Sequence, residues 1–173
     1  RAFYKMARIM TLDKLPRRYF SLYLEEKFQK GGYKLGKGVI DGVLDAAEEY
    51  PYNAQFICHK LWDIKAESKI ITIKDIDAAI EEILNDQNLA YIALWETLSN
   101  HQKRLLIAIA KSGGENILGA EFIKKGGLAA ASSVQTSKNI LMNRDILDKE
   151  KDRYFITDNF FKEWVLRTIA DAI

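Results

Sequence analysis

In Gly31-Gly32-Tyr33-Lys34-Leu35-Gly36-Lys37-Gly38 the first seven positions match the phosphate-cradling pattern G-x-x-x-x-G-K-[ST]. The eighth must supply a hydroxyl to magnesium, and Gly38 has none. A phosphate loop also follows a buried apolar strand, whereas Tyr23 to Lys30 reads as a charged amphipathic helix. The stretch is therefore expected to be a flexible connector between helices. Cys58 and His59 are adjacent, and neighbours on a helix point about 100° apart, which disfavours a nucleophile–base pair. The other histidine, His101, is remote, so the three or four converging ligands of a zinc site are missing. Cys58 reads as core and His59 as surface. Glu48-Glu49 and Glu81-Glu82 read as solvated helix faces. These residues on their own hold no enzyme site.

A second set of residues suits recognition rather than catalysis. Ser133, Gln135, Thr136, Lys138, Asn139 and Asn143, with Arg144 after them, read as the exposed side of one helix. Amides and hydroxyls can address base edges, while Lys138 and Arg144 can reach phosphates. Farther on, Lys149, Lys151 and Arg153 alternate with Asp148, Glu150 and Asp152, which nearly cancels the local charge. Duplex binding draws most of its affinity from unopposed cations at phosphates, so any intrinsic affinity is expected to be modest. Double-stranded DNA and a protein client both remain open as partners.

The elements that position these residues follow from apolar spacing. Ser99 can cap a helix from about Asn100 to Lys111, stopped by Gly113-Gly114. A small helix over Gly119 to Lys125 follows, then a third entered at Ala129 to Ser133 that carries Val134, Ile140 and Leu141 inward. Ile146-Leu147 and Tyr154 to Thr157 flank the charged run as a hairpin, and Asp158-Asn159 caps a last helix with Phe160, Phe161, Trp164 and Val165. This order resembles a winged-helix domain, which presents a helix and a hairpin to a partner.

Upstream, Pro16 opens a helix to about Gln29 with Phe20, Tyr23, Leu24 and Phe28 apolar. A second runs from about Gly38 to Glu49. Pro51 opens a third with Ala54, Phe56, Ile57, Leu61 and Trp62 mostly inward. Thr72-Ile73-Lys74-Asp75 starts a fourth that carries Ile76, Ala79, Ile80, Ile83 and Leu84, a seam is expected around Asn85 to Leu89, and a helix from there to Leu98 can pack on either side. The expected architecture is mainly α: a four-helix bundle over 1–88 and a winged-helix domain over 89–173.

Charge is segregated along the chain. Residues 1–40 hold 10 Lys/Arg against 3 Asp/Glu, residues 41–99 hold 4 against 12, and residues 100–173 hold 12 against 9. The strip Arg1, Lys5, Arg8, Lys14, Arg17 and Arg18 could meet phosphates, an acidic neighbouring domain, or only solvent. A single cysteine excludes a disulfide framework and points to a reducing, cytoplasmic compartment. No run of about 18 apolar residues exists, so no membrane partner is expected. The chain opens at Arg1 inside what reads as ongoing structure, and a piece of a longer protein is expected.

Three stretches carry a family resemblance. They are Arg1-Ala2-Phe3-Tyr4 with Met10, Leu12 and Leu15; Tyr19-Phe20 with Phe28; and the run Tyr50-Pro51-Tyr52-Asn53-Ala54-Gln55-Phe56-Ile57-Cys58-His59-Lys60-Leu61-Trp62. Together they resemble the helical lid of prokaryotic AAA+/STAND-type P-loop ATPases related to archaeal replication initiators. Asp158-Asn159-Phe160-Phe161 with Trp164 resembles the end of the winged helix in that family. The resemblance implies a nucleotide-binding core upstream of Arg1, with ATP and magnesium as cofactors of the full-length ATPase and none within these residues. It also implies that Pro51 and Tyr52 lie beside the adenine. The arginine that many such initiators carry early in this helix is absent here: Tyr52, Asn53, Gln55 and Lys60 stand in its region. The implied role is regulatory, coupling nucleotide state to DNA or protein binding. A free-standing winged-helix DNA-binding regulator with an N-terminal interaction domain is the alternative.

Overall fold

Pro16, at φ −57°, sets the entry of the first helix, α1 (Arg17–Lys30), and its carbonyl accepts from the amides of Tyr19 at 2.9 Å and Phe20 at 3.2 Å. The computed structural model describes residues 15–170. The basic strip from Arg1 to Lys14, and the resemblance carried by Arg1 to Leu12, lie outside them. The described residues are mainly helical and divide between Asp77 and Ala78 into two units.

In the first unit, α1 buries Phe20, Leu24 and Phe28, spaced four apart, while Tyr23 is exposed. Gly31 follows the helix, where a Cβ would lie 1.9 Å from the Trp62 ring, and Gly32 at φ +80° turns the chain away. β1 (Lys34–Leu35) follows, then α2 (Val39–Ala46), which buries Val39, Ile40, Val43 and Leu44. Arg17 reaches Asp41, Asp45 and Glu49 at 3.2, 2.7 and 3.1 Å, tying α1 to α2. α3 (Pro51–Ile64) has Pro51 at its first turn, where the missing N–H removes no helix bond. β2 (Ile70–Ile71) pairs in parallel with β1. The Gly-rich connector thus contains strand residues rather than a plain loop, because two residues carry no periodicity to detect. Phe28, Tyr33 and Trp62 pack together with ring centres 4.4 to 5.8 Å apart, and the Tyr33 hydroxyl donates to the Trp62 carbonyl at 2.8 Å. Trp62 is nevertheless half exposed, against the expectation that it points inward.

α4 (Ile73–Glu96) starts as expected, with Asp75 accepting from the Thr72 amide at 2.6 Å and the Thr72 hydroxyl at 2.8 Å. It runs on without a break into the helix expected from the seam to Leu98. No Gly or Pro interrupts Ile73 to Leu98, so nothing breaks the helix, and the seam expected at Asn85 to Leu89 is helical.

In the second unit, α5 (Asn100–Ser112) opens on a capping box. The Ser99 hydroxyl accepts from the Gln102 amide, the Gln102 side chain accepts from the Ser99 amide, and Gly113 closes the helix at φ +88°. α6 (Ala120–Lys125) and α7 (Ala131–Asn143) follow, then an antiparallel hairpin of β3 (Leu147–Glu150) and β4 (Arg153–Ile156) with Leu147 opposite Ile156. Asp158 caps α8 (Asn159–Trp164) by accepting from the amides of Phe160 and Phe161, and a π-helical turn (Val165–Ala170) continues it.

The later part of α4 is stitched to α8 inside this unit. Tyr91 and Trp95 meet Phe161 and Trp164 with ring centres 5.3 to 6.4 Å apart. The Tyr91 hydroxyl donates to Asp158 at 3.0 Å and the Trp164 indole N–H to Asn88 at 2.9 Å. No helix among the described residues is long and apolar enough to cross a membrane.

Candidate nucleic-acid interface

α7 turns a stripe of Val134, Ser137, Lys138 and Leu141 inward, the i, i+3, i+4, i+7 positions of one helix face. Two of these four are polar, so each needs a partner. The Ser137 hydroxyl lies 2.8 Å from His101 Nδ1 on α5. Lys138 leads its stem out beneath the hairpin and sets its ammonium 5.4 Å from the centre of the Tyr154 ring.

This corrects the reading of Lys138 as part of the exposed side of the helix. It is only 8% exposed, and its charge is committed to an aromatic face. Ile140 is corrected in the opposite sense. Expected inward, it is 41% exposed, because it sits one position off the buried stripe.

The outer side of α7 carries the amide and hydroxyl groups. Thr136 and Asn139 are exposed, and Ser133 and Gln135 are half buried. Gln135 Nε2 donates to Asn139 Oδ1 at 3.3 Å, which pre-positions two amides side by side, and the Thr136 hydroxyl donates to the Ser132 carbonyl at 3.0 Å. Arg144 follows the helix and donates to the Thr97 hydroxyl at 2.6 Å.

The hairpin is held from beneath by glycine. At Gly114, φ +72°, a Cβ would sit 1.9 Å from the Tyr154 carbonyl oxygen, and the Tyr154 amide donates to the Gly114 carbonyl at 3.0 Å. Arg153 donates from Nε to the Gly113 carbonyl at 2.7 Å, so part of its reach is taken up by this anchor. Lys149 lies 5.5 Å from the Tyr154 ring centre and 3.7 Å from Asp152. Lys151 occupies the turn at φ +55° and is exposed. Asp148, Glu150 and Asp152 are exposed beside these cations. A phosphate approaching the hairpin tip meets carboxylates as readily as ammonium groups, so the polar face of α7 is the better-suited surface.

Residues 89–167 match the family model described as "Probable winged helix domain". The second unit therefore carries a winged helix, with α5, α6 and α7 as its three helices and the β3–β4 hairpin as its wing. No curated protein matches the chain. The part of the winged helix that sequence reasoning missed is Tyr154, on which α7 and the wing both rest. Its signal was present, since two-residue alternation along β4 puts Tyr154 and Ile156 on one face.

In the first unit, Pro51 and Tyr52 lie at the start of α3, with Tyr52 75% exposed and its ring 6.2 Å from that of Phe56. Burial pushes the Cys58 thiol up to about 12, the wrong direction for a nucleophile. His59 points elsewhere, to Asp63 at 3.1 Å one helical turn on. No group of three His, Cys, Asp or Glu side chains that could hold a metal occurs among the described residues.

Proposed function

We propose that the chain is the regulatory C-terminal region of a P-loop ATPase, a helical lid followed by a winged helix that couples nucleotide state to partner binding. Its partners are then the upstream ATPase core of the same protein and, through the winged helix, double-stranded DNA. The observation carrying the DNA part is the polar outer face of α7, where Gln135 and Asn139 stand paired with Thr136 exposed beside them. Such groups address base edges, while Arg144, Lys149, Lys151 and Arg153 are the cations available to phosphates. Support for the lid is the exposed ring of Tyr52 next to a first-turn proline, as the family resemblance implies for residues beside an adenine. The lid would move against the core as nucleotide comes and goes, and the winged helix would transmit that movement to its partner.

The experiment is fluorescence anisotropy with labelled duplex DNA across several salt concentrations. Binding is expected to be modest and salt-dependent. Arg144→Ala with Lys151→Ala should reduce the slope of log affinity against log salt by about 0.9 for each phosphate left without its cation. Substituting Gln135 or Asn139 should alter sequence preference more than salt dependence. Absence of binding at low salt overturns the DNA part.

A protein client is the second reading, and the mixed charge of the wing favours it. The ATPase part is tested separately by the gene product's upstream sequence: a strand–GxxxxGK[ST]–helix segment supports it. A start codon directly before Arg1 would instead favour the free-standing winged-helix regulator. Residues 1–173 alone should bind ATP only weakly, and sub-micromolar binding by calorimetry would reopen Gly31 to Gly38 as a nucleotide site.

A further inference from the structure

On the winged-helix unit, α5, α6 and the π-helical turn enclose an open groove of about 860 Å³. Its floor is apolar, made by Ala108 with half-buried Ile107 and Phe122. Its rim carries Arg104, Lys111 and Lys125, and no carboxylate lines it among the described residues. Three smaller hollows, about 480 to 550 Å³, each include at least one carboxylate: Glu25 and Asp41, Asp63, or Glu115, Glu150 and Asp152. The groove is thus unlike these three in having, among the described residues, a lining that pairs an apolar floor with cations, Glu121 lying beside it only as the partner of Lys125.

Those cations retain donors for a ligand. Arg104 is exposed and engages no carboxylate among the described residues. Lys111 gives one N–H to the Ala170 carbonyl at 3.2 Å, leaving two. Lys125 meets Glu121 at 2.8 Å, an exposed pair that exchanges one carboxylate for another at little cost. Neither α7 nor the wing lines the groove, so it is a separate surface from the candidate DNA face.

We propose that this groove docks a short acidic segment of a partner protein, in which carboxylates flank an apolar side chain. The apolar side chain would cover Ile107, Ala108 and Phe122. One carboxylate would take the Arg104 fork in a two-bond arrangement, and another the ammonium of Lys111. Duplex DNA offers phosphates at its surface with little apolar area beside them for the floor, which favours the peptide over the nucleic acid. This inference rests on the winged-helix unit and does not need the α7 face to bind DNA.

The test uses the whole chain and a labelled peptide with Asp and Glu on both sides of a Leu-Phe pair, read by anisotropy at low and physiological salt. Saturable binding, weakened by salt, is expected. Arg104→Glu with Lys111→Glu should weaken it about tenfold or more, a loss of about 1.4 kcal/mol. Arg104→Glu as a single change, at an exposed position with no carboxylate partner among the described residues, should weaken it in part with an unchanged melting curve. A peptide with Ser-Ser in place of Leu-Phe should also bind about tenfold more weakly. Equal binding to the charge-reversed chain, or to the Ser-Ser peptide, overturns the proposal. Loss of duplex binding in Arg104→Glu assigns the groove to nucleic acid and overturns it too. If sedimentation shows wild-type self-association that Arg104→Glu abolishes, the occupant is a second copy and the proposal fails.

Discussion

The Nζ of Lys138 sits 5.4 Å from the centre of the Tyr154 ring, joining the outward-facing helix of the winged domain to its wing through a cation and an aromatic face. A lysine on a helix of this kind is easily taken for a phosphate ligand, and its burial gives the two roles opposite consequences.

If Lys138 braces the wing, Lys138→Met keeps the stem and removes only the charge. Stability should fall by about 0.5–2 kcal/mol in chemical denaturation. The salt slope of DNA binding should match the wild type; a slope reduced by about one would restore Lys138 as a phosphate ligand.

Gly114→Ala should cost at least about 2 kcal/mol, combining a left-handed backbone with a clash against a main-chain oxygen that cannot swing away. Gly127→Ala, also at positive φ but with open space around it, should cost less, about 1 kcal/mol. Equal melting temperatures for the two variants would show that the Tyr154 carbonyl yields freely.

Asp75 gives the first unit an acid-side dependence. Burial pushes its carboxyl up, but Lys65 at 2.6 Å and two bonds from Thr72 outweigh this and hold it below the ordinary 3.8. A carboxylate depressed in the folded state stabilises fully above its unfolded value and loses that contribution as pH falls through the folded one. Stability should therefore decline below about pH 4, and Asp75→Asn should flatten that decline while lowering stability near neutrality. Urea denaturation from about pH 2.5 to 7 measures both.

Limited proteolysis should spare Asn85 to Glu96, which lies inside α4, and cut first in the Gly126 to Ala130 connector, where Gly127, Ala129 and Ala130 are exposed. Early cleavage within Asn85 to Glu96 would mean that α4 opens there in solution.

What the sequence made legible were the positions where one residue type has one job. Ser99, Pro51 and Asp158 announced helix starts, and Gly113 a helix end, because caps need those chemistries at those places. The polar outer face of α7 followed from its spacing. Its inner stripe did not, because Ser137 and Lys138 occupy inward positions that a hydrophobic pattern assigns to apolar residues. The β1–β2 pair, two residues on each side, is fixed by a partner 36 positions away in register, and no local pattern encodes it. The groove beside α5 was equally invisible: Arg104 and Lys111 are ordinary helix-surface residues until α6 and the π-helical turn stand next to them.

Cys58 is the chain's single thiol, half buried at the wall of a hollow of about 480 Å³ in the first unit, where desolvation raises its pKa. Only a thiolate attacks a maleimide or disulfide reagent, so the desolvation that raises this thiol's pKa should slow labelling at neutral pH, and loosening around α3 should speed it. The rate of thiol modification therefore reports on the surroundings of α3 in the first unit, with no engineered probe. Slowing of that rate on addition of a nucleotide or a purified core domain would register ligand binding on the first unit, whatever the winged helix is doing at the time.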